Sequence, residues 1–246
     1  NITVFHSTDQ GISYKGTCFD SGITFGFTKN MGSNSILLKH LFIHELCHNW
    51  IGIKFYPKYS ENDFFWFTEG FTEFFTWEVL LKNNWITKKE YVNHYNETIR
   101  TIYLSKYRNA KYENIIGNFR SDNQAYQTLY SKGNLFAFFI NNAIQEVDSS
   151  NSLKKIMLKI MEQNEVPFSL TDTLLAKYMD YALEGSSFQN YLNQYIYQGI
   201  DIQLPNCLFE NKYCIDSLML GEFQLGFKKN DSTNIVTQVE QNSAAY

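Results

Sequence analysis

Apolar and polar residues alternate over the first thirty positions, in ITVFH and again in GITFGF, with glycines between the runs. A period of two sends successive side chains to opposite faces, so this stretch predicts two or three β-strands. After Gly32-Ser33-Asn34 the period lengthens, and apolar residues recur every three or four positions from Ser35 to Ile51. That spacing predicts a helix with Asn34 or Ser35 as its cap. A loop with Pro57, Ser60 and Asn62 leads to a second helix, expected from about Phe67 to Lys82. Thr87 followed by Glu90 is a capping-box pattern opening a helix to about Lys106. Residues 107–122 read as irregular. Helices are expected near 124–147, 152–163, 171–183 and 187–198, the last stopped by Gly199. From Glu222 two short alternating runs, FQLGF and NIVTQV, flank the polar KKNDST and predict a hairpin.

Composition narrows the class. With 21 Phe, 17 Tyr and 4 Trp in 246 residues, the chain carries enough large apolar side chains to bury a core, which excludes disorder. A net charge of -4 leaves no electrostatic footprint for nucleic acid. The most apolar run, Leu135 to Ile140, ends at Asn141-Asn142, far short of the ~18–20 residues of a membrane span. Four cysteines are too few for a disulfide scaffold and none has zinc-knuckle spacing, although Cys207 and Cys214 in CLFENKYC can close a small bridge. Asn-X-Ser/Thr triplets begin at Asn1, Asn96 and Asn230, as chance allows in an Asn-rich chain. With neither a Met start nor a charged-then-apolar leader, targeting information is expected to be removed or to lie outside this stretch. The compartment stays open, with a lean to export (periplasm or cell surface).

The chemistry concentrates in His44-Glu45-Leu46-Cys47-His48. Side chains four apart on a helix stand one above the other, so both imidazoles can bind one metal ion. Neutral imidazole suits Zn²⁺, and Glu45 sits where a general base can meet a zinc-activated water. A catalytic zinc needs a third protein ligand and an open position. Glu69, in WFTEGF, is the candidate, since a carboxylate among large apolar residues calls for a partner. Its alternative reading is a helix N-terminal acid, and Glu61 and Asp63 are rivals in the preceding loop. Glu73, one turn beyond Glu69, either orients a ligating histidine or is a solvated acid. His40, one turn before His44, is either packed or a partner behind the ligands. Cys47 lies between the ligand faces and reads as a small buried apolar residue. His6 and His94 have no partner visible in the sequence.

HELCHNW followed by WFTEGFTEFF resembles the gluzincin metallopeptidases, in particular the aminopeptidase N clan and its glycyl aminopeptidase branch. Trp50 matches the family's Trp after the second His; Ile51-Gly52 is similar to the aminopeptidase N side and Pro57 to the glycyl branch. The spacing to Glu69 is slightly longer than aminopeptidase N's eighteen intervening residues. A second match, Tyr130-Ser131-Lys132-Gly133-Asn134-Leu135, is similar to the family's Tyr-x-Lys-Gly-Ala-Leu, whose Tyr hydroxyl hydrogen-bonds the oxyanion. The tail, LGF…IVTQVEQNSAAY, resembles the start of a PDZ domain. The resemblance implies an α+β, thermolysin-like zinc peptidase domain over residues 1–204, with a small N-terminal sheet (1–30) and a helical body (35–200). A linker (205–215) and a truncated PDZ-like module (216–246) would follow, making this a piece of a longer protein whose N-terminal β domain lies outside it.

One departure bears on specificity. The family's Gly-Gly-x-Glu type strand, whose Glu holds a substrate's free amine, corresponds to Lys15-Gly16-Thr17-Cys18-Phe19-Asp20-Ser21. The Glu position falls on Cys18 or Asp20, and Asp20 alone could anchor an amine. The expectation is therefore a zinc-dependent peptidase, foremost an aminopeptidase. One Zn²⁺ would be held by His44, His48 and Glu69, with Glu45 as base, Tyr130 at the oxyanion and a peptide or protein as substrate. A zinc endopeptidase, a catalytically silent peptide-binding relative and a zinc hydrolase of non-peptide substrates are the alternatives. Phe64, Phe65, Trp66 and Phe67 are read mostly as core, with some expected to wall the site. Oligomeric state is open.

Overall fold

Three strands, β1 (Ile2–Ser7), β2 (Tyr14–Phe19) and β3 (Gly22–Thr28), form a sheet ordered β1-β3-β2. In this computed structural model the described residues are 2–7, 14–19, 22–28, 35–58, 60–204, 207–208, 213–214, 226–229, 235–239 and 241. β3 runs parallel to β1 and antiparallel to β2, so β2 is an edge strand. The alternation of β3 puts Ile23 and Phe25 on the buried face, where Leu41 of the first helix meets them and Cys18 of β2 packs alongside.

That helix, α1, runs Ile36–Cys47, with the Ser35 hydroxyl accepting from the Leu37 amide. It is shorter than its apolar pattern predicts. His48 is already the C-cap, Gly52 takes φ +106, and Ile51 bridges to Phe55, so the chain turns away before another helical turn is made. β4 (Phe55–Pro57) pairs in parallel with β5 (Phe168–Leu170), a contact the local sequence does not announce. A 3₁₀ turn (Glu61–Phe64) and α2 (Phe65–Thr68) precede α3 (Gly70–Lys82), so the single helix expected from Phe67 is broken at Glu69.

α4 (Lys88–Leu104) opens with the full capping box, Thr87 and Glu90 bonding each other's backbone amides. The stretch expected to be irregular contains a short helix, α5 (Tyr112–Ile116). α6 (Asn123–Val147), α7 (Leu153–Glu162), α8 (Asp172–Ala182) and α9 (Phe188–Tyr191) follow, α9 running into a π-helical turn over Leu192–Tyr197. Asp122, Ser152, Thr171 and Ser187 each cap their helix through the side chain.

The core lies where α2 and α3 pack on α6. Trp66, Phe67, Phe71, Phe74 and Phe136 are fully buried there in a run of tilted and edge-on ring contacts. Phe64 and Phe65 are buried as well, so this aromatic run builds the interior. The approach is close because two glycines face each other. A Cβ on Gly70 would collide with the Gly133 backbone, and one on Gly133 with Trp66 O and Gly70 Cα. That contact holds Glu69 beside the turn of α6 carrying Tyr130.

The chain divides into two compact units, residues 1–204 and 205–246. In the second, β6 (Cys207–Leu208) and β7 (Tyr213–Cys214) pair with Cys207 opposite Cys214, and β8 (Phe227–Lys229) pairs antiparallel with β9 (Val236–Val239).

Gly133→Ala should destabilise the protein by about 2 kcal/mol, because two helices must separate to admit one methyl group. A denaturant titration measures it; unchanged stability would show the glycine contact to be dispensable.

Candidate metal centre

α1 and α3 lie face to face, and the helical period brings three histidines of one opposite two carboxylates of the other. His40, His44 and His48 are spaced one turn apart, as are Glu69 and Glu73. His44 Nε2 lies 3.3 Å from Glu69 Oε2 and His48 Nε2 lies 3.7 Å from the same oxygen. The outer nitrogens are occupied: His44 Nδ1 donates to Glu73 Oε2 at 3.1 Å, and His48 Nδ1 to Ile51 O at 3.1 Å. With Nδ1 of each ring held by these acceptors, it is Nε2 that faces Glu69, the nitrogen a metal would take in place of its proton.

The separations also fit. Tetrahedral zinc with bonds of ~2.0–2.1 Å sets its ligand atoms ~3.3 Å apart, close to the 3.3 and 3.7 Å found. His44, His48 and Glu69 thus form a group able to hold a metal ion; His40, His44 and Glu73 form another.

Glu73 is the better connected carboxylate. Oε1 accepts from His40 Nε2 and from Trp77 Nε1, each at 2.8 Å, while Oε2 takes His44 Nδ1. His40 is therefore the partner on the far side of Glu73. Burial opposes charge throughout the cluster, yet the pairing prevails. Glu69 is held far below the carboxylate range by His44 and His48, and Glu73 well below it by His40 and His44. Burial alone would lower the His44 pKa, but the two glutamates raise it to about 10.

Glu45 projects from the same end of α1, with 6% of its surface exposed. Edge strand β2 passes directly over it, and a Cβ on Gly16 would collide with its carboxyl group. Burial raises the Glu45 pKa, while His44 and His48 pull against that rise. Tyr130, on α6, stacks on His44 with centroids 6.3 Å apart and packs its edge on Phe65. Burial and the charge of Glu69 push its pKa up, so it stands as a neutral phenol.

These residues line one cleft of about 680 Å³, together with Lys15, Gly16, Thr17 and Cys18 of β2 and a set from α4 and α6. Asp63 is exposed in the 3₁₀ turn and does not line the cleft; the Glu61 side chain and Asp20 lie outside the described residues. Cys18 faces the Ile23–Phe25–Leu41 cluster. Cys47 is half-buried, with burial raising its thiol pKa to about 11. Two features escape a reading of the residues alone. Gly16, a glycine inside a strand pattern, is a generic sign of close backbone approach. His94 shares helical spacing with Thr98 and Thr101, and its ring stacks on Trp77 at 3.8 Å.

A family model described as the peptidase family M1 domain matches residues 25–198. No curated protein matches the chain. Among solved structures, an aminopeptidase N family protein from Idiomarina loihiensis is similar, with a TM-score of 0.66 at 16% sequence identity. The match covers 83% of this chain and 39% of that one, so the chain spans about two fifths of that protein's length. At this identity the likeness is one of fold: a small N-terminal sheet and a helical body.

His94 supplies a pH test. Burial lowers its pKa from 6.5 to about 4. Between those values the unfolded chain binds a proton that the folded chain refuses. The neutral imidazole's contribution is therefore whole above pH ~6.5 and is lost as pH falls toward 4, by on the order of 3 kcal/mol. His94→Asn should lose less stability than the parent protein across that window in urea titrations. Parallel losses would contradict the shift.

Proposed function

The chain belongs to peptidase family M1, a family of zinc metallopeptidases, and from that premise we propose that it hydrolyses peptide bonds, foremost as an aminopeptidase, through a single zinc ion held by His44, His48 and Glu69. The observation that carries the proposal is the pair of imidazoles whose Nδ1 protons are already committed, leaving both Nε2 atoms and one Glu69 oxygen at ligand spacing. Zinc bound there would polarise the substrate carbonyl and lower the pKa of its water toward ~7.

The chain's own groups do the rest. Glu45, raised toward a basic role by burial, accepts a proton from the attacking water on its carboxylate and delivers it to the leaving amine nitrogen. The Tyr130 hydroxyl donates a hydrogen bond to the carbonyl oxygen as negative charge develops on it. Gly16 leaves room for Glu45 and fixes its carboxyl under β2. Glu73 holds the His44 ring in register and is itself clamped by His40 and Trp77.

A second reading, a zinc endopeptidase, has an observation of its own. Among the described residues lining the cleft the acids are Glu45, Glu69 and Glu73, taken up as the base, a metal ligand and the support of His44, and the cation on β2 is Lys15. Cys18 offers no charge to a free amine. Asp20 remains the proposed anchor for an aminopeptidase. For residues 216–246, the β8–β9 hairpin supports the proposal of a PDZ-like start.

Glu45→Gln should cut hydrolysis at least 10²–10⁴-fold while the protein still binds one zinc, read by peptide digestion beside metal analysis. Full activity in that variant would refute the base assignment. The same digest with free and acetylated N-termini separates the two readings, since an aminopeptidase spares the blocked peptides. Glu73→Ala should weaken zinc binding roughly 10–100-fold in a chelator competition; unchanged affinity would remove Glu73 from the metal's support.

A further inference from the structure

The wall of the cleft beside the metal cradle is polar and carries no charge. α4 contributes His94, Thr98 and Thr101, and α6 contributes Gln127, Ser131 and Asn134. Each set has spacings of three and four residues, so each is one face of its helix, and the helices pack together. The charges of α4 lie elsewhere, Glu97 and Arg100 pairing on its exposed side. In a chain whose interior is mostly apolar, six hydrogen-bonding side chains on one wall require partners or water.

Part of this wall is fixed. Asn134, 1% exposed, donates from Nδ2 to His94 Nε2 at 2.9 Å and accepts at Oδ1 from the Tyr95 hydroxyl at 3.2 Å. The His94 ring rests on Trp77, which in turn bonds Glu73, so the wall is tied to the metal cradle through direct contacts. The other part is open. The hydroxyls of Thr101 and Ser131 and the amide of Gln127 have no hydrogen-bond partner among the described residues. All three line the same cleft as Tyr130 and the metal cradle.

We propose that this wall is a substrate subsite for an uncharged, hydrogen-bonding side chain, Ser, Thr, Asn or Gln, at one of the two positions flanking the scissile bond. The inference rests on the peptidase reading and names its substrate class. An apolar side chain would strip water from Thr101, Ser131 and Gln127 and return no hydrogen bond. A charged one would lose water with no counter-charge to meet it.

The test is a set of peptides differing only at the two flanking positions, with the near-isosteric pair Thr and Val, then Asn and Leu, then Lys and Glu. The zinc-loaded protein should cut the Thr peptide about tenfold faster in kcat/KM than the Val peptide at one position. In a Thr101→Val, Ser131→Ala double variant that preference should collapse. Faster cleavage of Val at both positions, or a preference untouched in the folded double variant, would overturn the subsite. Should the variant not fold, the Thr-to-Val ratio of the parent protein decides alone. If no peptide is cut, the peptidase reading fails, and calorimetry with the same peptides still reads the subsite. About tenfold tighter binding of the Thr peptide supports it, and equal affinity overturns it.

Discussion

Two carboxylates one helical turn apart inside an aromatic core are the constraint around which this domain is organised. Glu69 and Glu73 both have little access to solvent, and a buried charge without a partner costs several kcal/mol. The histidines of α1 answer that cost, two facing Glu73 and two facing Glu69, with His44 shared between them. The pairing of α1 with α3 is therefore an electrostatic match as much as a packing contact. The same match directs His44 and His48 Nε2 at one point, so what compensates the buried acids also prepares a metal cradle.

Packing around that pair also places Glu45 and Tyr130 at the cradle. The Gly70–Gly133 contact draws α6 against the start of α3 and sets Tyr130 over His44. The edge strand β2 lies on Glu45 because Gly16 has no side chain to keep it away. Glu45, Tyr130 and the cradle thus come from three helices, α1, α3 and α6, each placed by a close backbone approach or by a buried ion pair.

The cradle was legible in the sequence because it rides on helical periodicity. His44 and His48 are four apart, and Glu69 is a charge where the surroundings are Trp, Phe and Gly. The N-terminal strands and the long helices were legible for the same reason, since two periods separate them. What escaped depends on distant contacts. β4 and β5 are three residues each, too short for any period, and meet across more than a hundred positions. The break at Glu69 and the early end of α1 follow from the turn at Gly52 and from packing on α6. His94 carried no local signal, because its partners Trp77 and Asn134 arrive from other helices.

The central claim is that one zinc sits on His44, His48 and Glu69, although His40, His44 and Glu73 offer a rival group on the other side of the same ring. Crystals of zinc-loaded protein, measured at the zinc absorption edge, decide between them. The account predicts a single anomalous peak bonded to His44 Nε2, His48 Nε2 and Glu69, with His44 Nδ1 still on Glu73. A peak between His40, His44 Nδ1 and Glu73, or none in the cleft, would contradict it.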